Sequence, residues 1–350
     1  MQSLSRSLKK NSMKYILLDN NNIFWRSALA VDKHLSFGAE YGSLKTLVSL
    51  QRTYPEHRLL CIWDSMCTWR KEIFPDYKHK DSRDVGIDRS DLYRRMDHFR
   101  TILSYIMPQY EGPGCEGDDV MAAMAYLLSS EGHEVVIFSN DVDVEQLTND
   151  KVSVLRPQLK APPALLSKDD ICKKWGIIHP QQLMWLRAYT GCNSDKVPGS
   201  GVPKKKLAEL APLPSWEIGN PIERMLSEHA VMQKGAGKLL TKGWLKKFES
   251  FPCRAIRNYR IMSLTPARCC ADILCNYAPD FDAFLDWLRR TDIVTLQGDI
   301  ISYFGTIIED DPFVRPVIHW PYATYKQLMD YENEKLGSLT EWKQEERDSK

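Results

Sequence analysis

Short apolar runs alternate with longer segments of helical composition along the first half of the chain. Four runs lack the polar alternation of a half-exposed strand: 14–19, 58–64, 133–138 and 151–155. The segments 22–30, 43–53 and 118–132 between them have helical composition, and Gly132 is a good helix stop. Uniformly apolar strands separated by helices predict an α/β fold with a mostly parallel sheet covered on both faces. In such sheets the functional crevice lies at the carboxyl ends of the strands.

Acidic residues follow three of these predicted strands. Asp19 ends the first strand, Asp64 ends the second, and Asp141 and Asp143 come just after the third. The segment "EGDDV" adds three acids at the start of the helix that leads into the third strand: Glu116, Asp118 and Asp119. Carboxylates that converge in a partly desolvated crevice repel one another and need protons or divalent cations. An oxygen-only ligand set, without a His or Cys cluster, favours Mg²⁺ or Mn²⁺ over zinc.

Each of these acids has a plainer explanation when it is considered alone. An Asp after a strand is common in turns and as a helix N-cap, and "EGDD" suits the positive end of a helix dipole. A single Asp-x-Asp is also a weak signal. The coincidence of all these positions with the edge of one predicted sheet favours a metal site over separate capping roles.

Composition and charge narrow the class of protein. The 350 residues are 43% hydrophobic and 27% charged, which is ordinary for a globular protein. We expect a cytoplasmic protein without a membrane span, because no apolar run reaches about 18 residues and "MQSLSRSLKKNS" lacks the apolar stretch of a secretory signal. Residues 204–268 carry 13 Lys/Arg against 5 Glu, whereas 271–350 carry 8 Lys/Arg against 16 Asp/Glu. The basic segment predicts contact with a polyanion.

Five sequence blocks occur in order between residues 13 and 215: "YILLDNNNIFWR", "CIWDSMCTWRKEIFPDYKHKDSR", "EGDDVMA", "SNDVDVEQL" and "GCNSDKVPG". Together they resemble the 5′ nuclease family, which includes flap endonucleases, bacteriophage 5′ exonucleases and the N-terminal nuclease domain of bacterial DNA polymerase I. The resemblance implies a PIN-like sheet flanked by helices, with a helical arch and a helix–hairpin–helix region.

The same resemblance implies a structure-selective 5′ nuclease, acting as a 5′–3′ exonuclease and flap endonuclease. In this family two ions, Mg²⁺ or Mn²⁺, drive the hydrolysis of phosphodiester bonds. The first ion is then held mainly by Asp19, Asp64 and Asp118, with Glu116 and Asp119 in support directly or through water. The second ion is held by three further acids: Asp141, Asp143 and Asp195.

Four residues depart from the family pattern. Gly117 replaces Ala in the Glu-Ala-Asp-Asp block, and Val142 replaces Lys in the Asp-Lys-Asp block. Cys192 stands where the family often has an Asp, and a thiol is a poor ligand for hard cations, so we expect a weaker second metal site or a water in its place. Lys196 replaces an Asn; its ammonium either approaches a phosphate or pairs with a neighbouring acid.

The segment 70–100 contains nine Lys/Arg and seven Asp/Glu. By composition it fits a solvated surface loop equally well, but the resemblance implies the family's helical arch. Lys78 and Arg83 then act as catalytic residues that stabilise charge on the scissile phosphate. In the same arrangement Arg70 grips the single strand and Tyr77 stacks a base.

The segment 197–210 resembles the family's helix–hairpin–helix, although the hairpin is about two residues shorter. Gly199 and Gly201 would expose backbone N–H groups to a duplex phosphate, followed by Lys204, Lys205 and Lys206. The family often binds a monovalent cation such as K⁺ here. Farther on, Lys238 and Lys242 belong to a run of lysines four apart that either lies along a phosphate backbone or forms a solvated helix face.

These features divide the chain into a metal-dependent nuclease core (13–190), a basic helical DNA-binding region (191–268) and a C-terminal extension of unknown role (269–350). The expected partner is DNA with a 5′ flap, a nick or a free 5′ end, extending to RNA–DNA hybrids. A replication protein is a candidate partner for the extension. Two alternatives stay open: a DNA-structure-binding protein that kept the fold but lost catalysis, and an RNA-processing or toxin-like nuclease on the PIN fold.

Overall fold

The computed structural model describes residues 12–31, 36–66, 69–78, 88–214, 221–264, 272–305, 314 and 316–319. Arg83, together with most of the polar segment that the sequence assigns to the arch, lies outside the described residues. So does the charged end of the chain from residue 320 onward. Within the described helices, no stretch combines the length and the apolar character that a membrane crossing requires.

The fold is built on one mixed sheet of eight strands in the order β6-β5-β4-β1-β2-β3-β7-β8. The strands are β1 (Lys14–Asp19), β2 (His57–Ile62), β3 (Gln109–Glu111), β4 (Glu134–Phe138), β5 (Val152–Arg156), β6 (Ala164–Leu166), β7 (Asp272–Asn276) and β8 (Val317–His319). The five central strands are parallel, and β6, β7 and β8 each run antiparallel to their inner neighbour.

Helices cover both faces of this sheet and form a second, purely helical layer beside it. Those of the first half are α1 (Asn20–Val31), α2 (Gly38–Thr53), α3 (Trp69–Ile73), α4 (Arg89–Leu103), α5 (Gly117–Ser130), α6 (Lys168–Trp175) and α7 (Leu183–Thr190). They are followed by α8 (Lys204–Leu210), α9 (Pro221–Leu239), α10 (Lys242–Glu249), α11 (Pro252–Met262), α12 (Phe281–Arg290) and α13 (Gln297–Phe304). Short 3₁₀ helices span Asp143–Leu147, Pro180–Gln182 and Val294–Leu296.

The chain reverses its direction of travel across the sheet at β1. It first moves outward from β1 through β2 to β3, and then crosses back to add β4 and β5 on the other side of β1. A crevice opens at the carboxyl ends of the strands wherever the strand order reverses in this way. The fold therefore places a ready-made crevice after Asp19, between the loops that leave β2 and β4.

The sheet buries a different apolar cluster on each face. One face packs against α1, α2, α4, α12 and α13, with Phe24, Phe99 and Trp287 in the cluster. The other face packs mainly against α5, whose residues from Val120 to Ala125 are almost entirely buried. The alternation of β1 side chains between the two clusters explains why this strand is apolar at every inner position.

The described part of the C-terminal extension is integrated into this core. The strand β7 pairs with β3, and α12 packs against α4 with the rings of Phe99 and Trp287 5.9 Å apart. The backbone N–H of Ala278 donates to the carbonyl of Ser104 at 3.0 Å. The helix α12 therefore belongs to the same core as β3 and α4.

Candidate functional site

Three strand ends bring acidic residues to the reversal point of the sheet. Asp19 is the last residue of β1, and it pairs in register with Ile62, the last residue of β2, so Asp64 follows two residues later. On the other side of β1, Leu18 pairs with Phe138, and Asp141 follows β4. The predicted convergence of these strand-end acids at one edge of the sheet is thus present in the structure.

Asp19 is held by two hydrogen bonds at the floor of the crevice. Its Oδ1 accepts from the backbone N–H of Asn22 at 3.1 Å, and its Oδ2 accepts from the hydroxyl of Ser139 at 2.7 Å. Burial, with Asp64 nearby, raises the pKa of Asp19 to about 7 despite these hydrogen bonds. The carboxyl group is therefore fixed in place while its negative charge is disfavoured.

Asp118 lies in the first turn of α5 and is affected by the same crowding. Burial raises its pKa well above the ordinary value, and the charges of Asp141 and Asp19 raise it further. Asp64 also has a raised pKa, caused first by desolvation, although its Oδ1 accepts a 2.6 Å hydrogen bond from the backbone N–H of Gly117. These acids sense one another's charge across the crevice, which is the electrostatic signature of a cation site.

Gly117 allows the Asp64 carboxylate to approach the start of α5. A Cβ atom at this position would lie 2.9 Å from Asp64 Oδ1, closer than ordinary van der Waals contact permits. The glycine that separates "EGDD" from the family's Glu-Ala-Asp-Asp pattern therefore leaves room for Asp64 Oδ1 beside the Gly117 N–H. In this chain Asp64 is positioned by the backbone of α5 as well as by its own loop.

Asp143, on the 3₁₀ helix after β4, is neutralised by a residue that the sequence did not single out. Arg187 Nε on α7 donates to Asp143 Oδ1 at 2.7 Å, and the backbone N–H of Asp143 donates to Asp141 Oδ1 at 2.7 Å. Burial raises the pKa of Asp143 to about 6, although Arg187 opposes this shift. Arg187 thus partly satisfies a carboxylate assigned to the second ion.

Asp195 and Cys192 lie together on the loop between α7 and α8. The thiol of Cys192 lies 2.9 Å from the hydroxyl of Ser194 and donates to Asp195 Oδ2 at 3.2 Å. Desolvation raises the pKa of Asp195, which also feels the charge of Asp141. Beside Asp195, Cys192 therefore supplies a hydrogen bond and not a hard oxygen ligand.

Two glycines close this loop upon itself. A Cβ on Gly199 would lie 2.2 Å from the carbonyl oxygen of Thr190, and one on Gly191, at φ +72°, would lie 2.5 Å from the carbonyl oxygen of Val197. The hydroxyl of Ser200 donates to the carbonyl of Tyr189 at 3.0 Å. Close backbone approach, and not only exposure of N–H groups, is the reason for glycine at 199.

The last acid of "EGDD" has a different role from the one predicted. Asp119 is 0% exposed, and both its oxygens receive a guanidinium N–H of Arg70 at 2.7 Å. Its Oδ2 also accepts from the backbone N–H of Glu116 at 3.1 Å. Direct ligation of a metal by Asp119 is contradicted by these contacts, and the capping explanation of this residue is correct.

The side chains of Arg70 and Tyr77 are likewise buried and form hydrogen bonds within the protein. Arg70 is 2% exposed and also donates from Nε to the carbonyl of Ile261 on α11 at 3.0 Å. Tyr77 is 6% exposed and its hydroxyl donates to Glu116 Oε2 at 3.1 Å. The predictions that Arg70 grips a DNA strand and that Tyr77 stacks a base are wrong, because burial removes both side chains from the surface.

Lys78 and Glu116 form an ion pair at the rim of the crevice. Lys78 Nζ donates to Glu116 Oε2 at 3.0 Å, and the lysine side chain is about half exposed. Burial would lower the pKa of Lys78, but Glu116 and Tyr77 raise it. The Lys78 backbone is left-handed, with φ +47°, and its N–H donates to the carbonyl of Asp195 at 3.0 Å. The backbone at Lys78 is thereby joined to the Asp195 loop.

The donor chemistry of the crevice fits divalent ions. The acids that raise one another's pKa present oxygen alone, which hard cations prefer. Among the described residues, however, no three Asp, Glu, His or Cys side chains converge tightly enough to form a ready-made metal cage. Water ligands would complete the shell of an ion such as Mg²⁺, which retains several waters when bound to proteins.

A family model matches nearly half of the chain. Residues 14–176 match the 5′-3′ exonuclease N-terminal, resolvase-like domain. Over this range the chain is similar to the 5′-3′ exonucleases. The matched range contains all the crevice acids described above except Asp195, which lies just beyond the exonuclease domain.

Curated relatives agree with this assignment. A 5′-3′ exonuclease of Buchnera aphidicola subsp. Schizaphis graminum is 34% identical over 170 residues, which are 48% of this chain and 56% of the relative. A 5′-3′ exonuclease of Aquifex aeolicus is 32% identical over 190 residues, which are 52% of this chain and 63% of the relative. The chain thus spans about three fifths of the length of these exonucleases.

Solved structures share the fold of the exonuclease domain and its helical neighbour. The bacteriophage T5 flap endonuclease, solved as a pseudo-enzyme-product complex with DNA and metal ions, matches with a TM-score of 0.57 at 17% identity. The match covers 82% of this chain and 99% of that one. The catalytic core of Rad2 in complex with a DNA substrate matches with a TM-score of 0.51 at 15% identity, over 83% of this chain and 93% of that one.

The lysines predicted to bind the DNA duplex at the hairpin and beyond it lie outside the exonuclease domain. Lys204 and Lys205 are exposed at the start of α8, whereas Lys206 pairs with Glu209 at 2.8 Å. Lys238 and Lys242 are exposed, but α9 ends at Leu239 and Thr241 caps α10. The four-residue spacing therefore does not give one continuous helical stripe, because the helix axis breaks between these two lysines.

Proposed function

We propose that this chain is a structure-selective 5′ nuclease with 5′–3′ exonuclease and flap endonuclease activity on DNA. The observation that carries the proposal is the convergence of Asp19, Asp64, Asp118 and Asp141 at the reversal point of a parallel sheet, where burial and neighbouring carboxylates raise the pKa of Asp19, Asp64 and Asp118. The exonuclease family match and the fold shared with a T5 flap endonuclease support it. The substrates are DNA with a 5′ flap, a nick or a free 5′ end.

Two divalent ions, Mg²⁺ or Mn²⁺, are the proposed cofactors. Asp19, Asp64 and Asp118 would hold the first ion, and Asp141, Asp143 and Asp195 the second. When bound, such ions acidify a water and stabilise the leaving oxygen of a phosphodiester. Glu116 supports the first group from the rim, while Asp119 contributes through Arg70 and not as a ligand.

The protein's own side chains supply positioning and charge. Ser139 and the Asn22 N–H orient Asp19, and the Gly117 N–H orients Asp64, so these carboxylates need no reorganisation when substrate arrives. Lys78 is proposed to exchange its contact with Glu116 for the scissile phosphate. Arg83 is proposed to act from the same side.

The duplex is proposed to bind at the hairpin, through the backbone of Gly199 and Gly201 and the lysines that begin α8. The exposed Lys238 and Lys242 would add phosphate contacts from two separate helices. A K⁺ ion at the hairpin is part of this proposal, and replacement of K⁺ by a bulkier monovalent cation in the binding buffer tests it. Weaker duplex binding after replacement is expected.

We further propose that the protein works in the cytoplasm, or in the host cytoplasm if it comes from a bacteriophage, during replication or repair. RNA–DNA hybrids at primers are proposed as additional substrates. A replication protein is a proposed partner of the extension from residue 269 onward.

A metal titration of cleavage tests the function. End-labelled 5′-flap, nicked and RNA-primed duplexes are incubated with the protein over a range of Mg²⁺ concentrations, with Asp118→Ala alongside. We expect Mg²⁺-dependent products from the wild type and none above background from the variant, and product lengths separate exonuclease from flap endonuclease action. Absence of metal-dependent cleavage on all three substrates would contradict the proposal and favour a protein that only binds DNA structures.

A further inference from the structure

A cationic cluster lies between α6 and the start of α8, outside the carboxylate crevice. Its centre is Glu145, which is 0% exposed and belongs to the same 3₁₀ helix as Asp143. Glu145 accepts hydrogen bonds from Trp175 Nε1 at 2.6 Å and from Lys174 Nζ at 2.5 Å, and it also pairs with Arg156. One carboxylate therefore holds an indole and two cations in fixed positions.

Lys204 adds a third cation to this cluster. Its Nζ lies 3.4 Å from the centroid of the Trp175 ring, and Lys174 Nζ lies 5.2 Å from the same centroid. Burial lowers the pKa of Lys204, and the charges of Lys174 and Arg187 lower it further while Glu145 opposes them. Three cations thus face a single acid, since Arg187 is already paired with Asp143.

This excess of positive charge has the character of an anion subsite. Lys174 and Lys204 keep a substantial part of their side chains exposed, so an anion can reach both from solvent. Lys204 follows the hairpin directly, at the first position of α8. A stacked base is excluded on the ring face that Lys204 covers, because its ammonium occupies the stacking distance. A backbone phosphate, by contrast, carries the negative charge that both ammonium groups attract.

We propose that Lys174 and Lys204, seated on Trp175 and anchored by Glu145, form a subsite for a phosphate of the DNA duplex beside the hairpin. This inference rests on the proposed function. The subsite extends the DNA surface onto α6, which the motif analysis did not include. Because Glu145 and Asp143 share one short helix, the bound phosphate is held at a set distance from the catalytic acids.

The test is the salt dependence of duplex binding by the full chain in EDTA, where no metal-dependent cleavage occurs. The probe is a fluorescent 5′-flap duplex, and its dissociation constant is measured by anisotropy over a range of NaCl concentrations. The variants are Lys204→Ala and Lys174→Gln, which keeps a hydrogen-bond donor for Glu145. Lys173→Ala is the matched control, because it removes an exposed positive charge from the same helix without touching the cluster.

Each of the two test variants is expected to reduce the slope of log K against log[salt] by about 1 and to weaken binding about five- to tenfold at ~0.1 M salt. Lys173→Ala is expected to stay within about twofold of the wild type. Equal effects of all three substitutions would show a diffuse field instead of a subsite, and unchanged slopes in the test variants would overturn the proposal as well. Circular dichroism confirms that each variant is folded.

The two proposals fail in distinguishable ways. If the wild type cleaves flaps but the two test variants have the same salt-dependence slope as the wild type, the subsite alone is overturned. If the wild type does not cleave but the test variants have smaller salt-dependence slopes than the wild type, the nuclease function is overturned and the phosphate subsite is supported.

Discussion

Arg70 and Asp119 form a buried, two-pronged ion pair, with both N···O distances at 2.7 Å. The pair joins α3 to α5, whose first turn carries Asp118. Through its Nε, Arg70 also reaches the carbonyl of Ile261 on α11. One guanidinium therefore joins three parts of the protein, and the two adjacent acids, Asp118 and Asp119, have different roles.

Substitutions at Asp118 and Asp119 are expected to distinguish a role in cleavage from a role in stability. Asp119→Asn removes the two-pronged counterion of the buried Arg70 and leaves it only the 3.4 Å contact with Glu116, so we expect the free energy of unfolding to fall by roughly 3–5 kcal/mol. Asp118→Asn removes a carboxylate that its neighbours repel, so we expect no loss of stability in metal-free buffer but loss of cleavage. Urea unfolding in EDTA and the flap assay measure the two quantities. Similar destabilisation by both variants would contradict the division of roles.

His229 predicts a pH dependence of stability. Burial lowers the pKa of this histidine to about 4, and its Nε2 lies 3.0 Å from the Tyr189 hydroxyl. A folded pKa below the unfolded value of 6.5 means that the unfolded chain binds the proton more tightly. The contribution is therefore complete above about pH 6.5 and is lost as the pH falls towards 4, by roughly 2–3 kcal/mol in all.

Paired unfolding curves isolate this contribution from that of the carboxyl groups. His229→Gln is expected to flatten the difference in unfolding free energy between pH 7 and pH 4.5, whereas His98→Gln, at an exposed site, is expected to leave it unchanged. If His229→Gln retains the full wild-type pH dependence, the histidine is not the group responsible.

Replacement of Cys192 by an acid is expected to lower the Mg²⁺ concentration that cleavage requires. Cys192→Asp places a carboxylate beside Asp195, where the wild type has only a thiol, and should lower the Mg²⁺ concentration for half-maximal cleavage by roughly three- to tenfold. Cys192→Ser keeps the size and the hydrogen bond without adding charge, so its Mg²⁺ requirement should match the wild type. The same Mg²⁺ requirement in both variants would argue against a role for position 192 in ion binding.

Replacement of glycine by alanine is expected to have opposite effects on stability at positions 199 and 237. Gly199→Ala forces a Cβ against the carbonyl oxygen of Thr190, so we expect a loss of more than about 2 kcal/mol in stability together with weaker duplex binding. Gly237→Ala, on α9, meets nothing within 4 Å and should stabilise the protein by roughly 0.5–1 kcal/mol. Thermal melting measures both changes. A harmless Gly199→Ala would show that the loop can relax away from Thr190.

The elements that the sequence predicted well are those whose burial leaves a continuous apolar run. The strand 14–19 was placed to the residue, and the acids that follow β1, β2 and β4 meet because parallel strands end at a common edge. The three-residue strands β3 and β6 are too short to show any period, and β7 joins the sheet by pairing with a strand more than 150 residues away in sequence.

The roles of individual side chains were harder to predict, because pairing between distant residues has no local signature. Arg70 and Asp119 are 49 positions apart, and Arg187 stands 44 positions from Asp143. A charged residue in an otherwise apolar segment was the available signal for Arg187, which is the one cation in "LMWLRAYT". Burial of Tyr77 likewise depends on packing against α3 and the Asp195 loop, which composition does not reveal.

The packing of α12 on α4 bears on how this protein can be dissected. The family match ends at residue 176, yet Phe284, Trp287 and Leu288 fill one side of the sheet that the matched residues build. A fragment that ends at residue 176 would expose this apolar face of the sheet and would lack Trp287, which packs against Phe99. The smallest fragment that can fold on its own is thus longer than the range that matches the family model. Its C-terminal helices complete the core of its N-terminal ones.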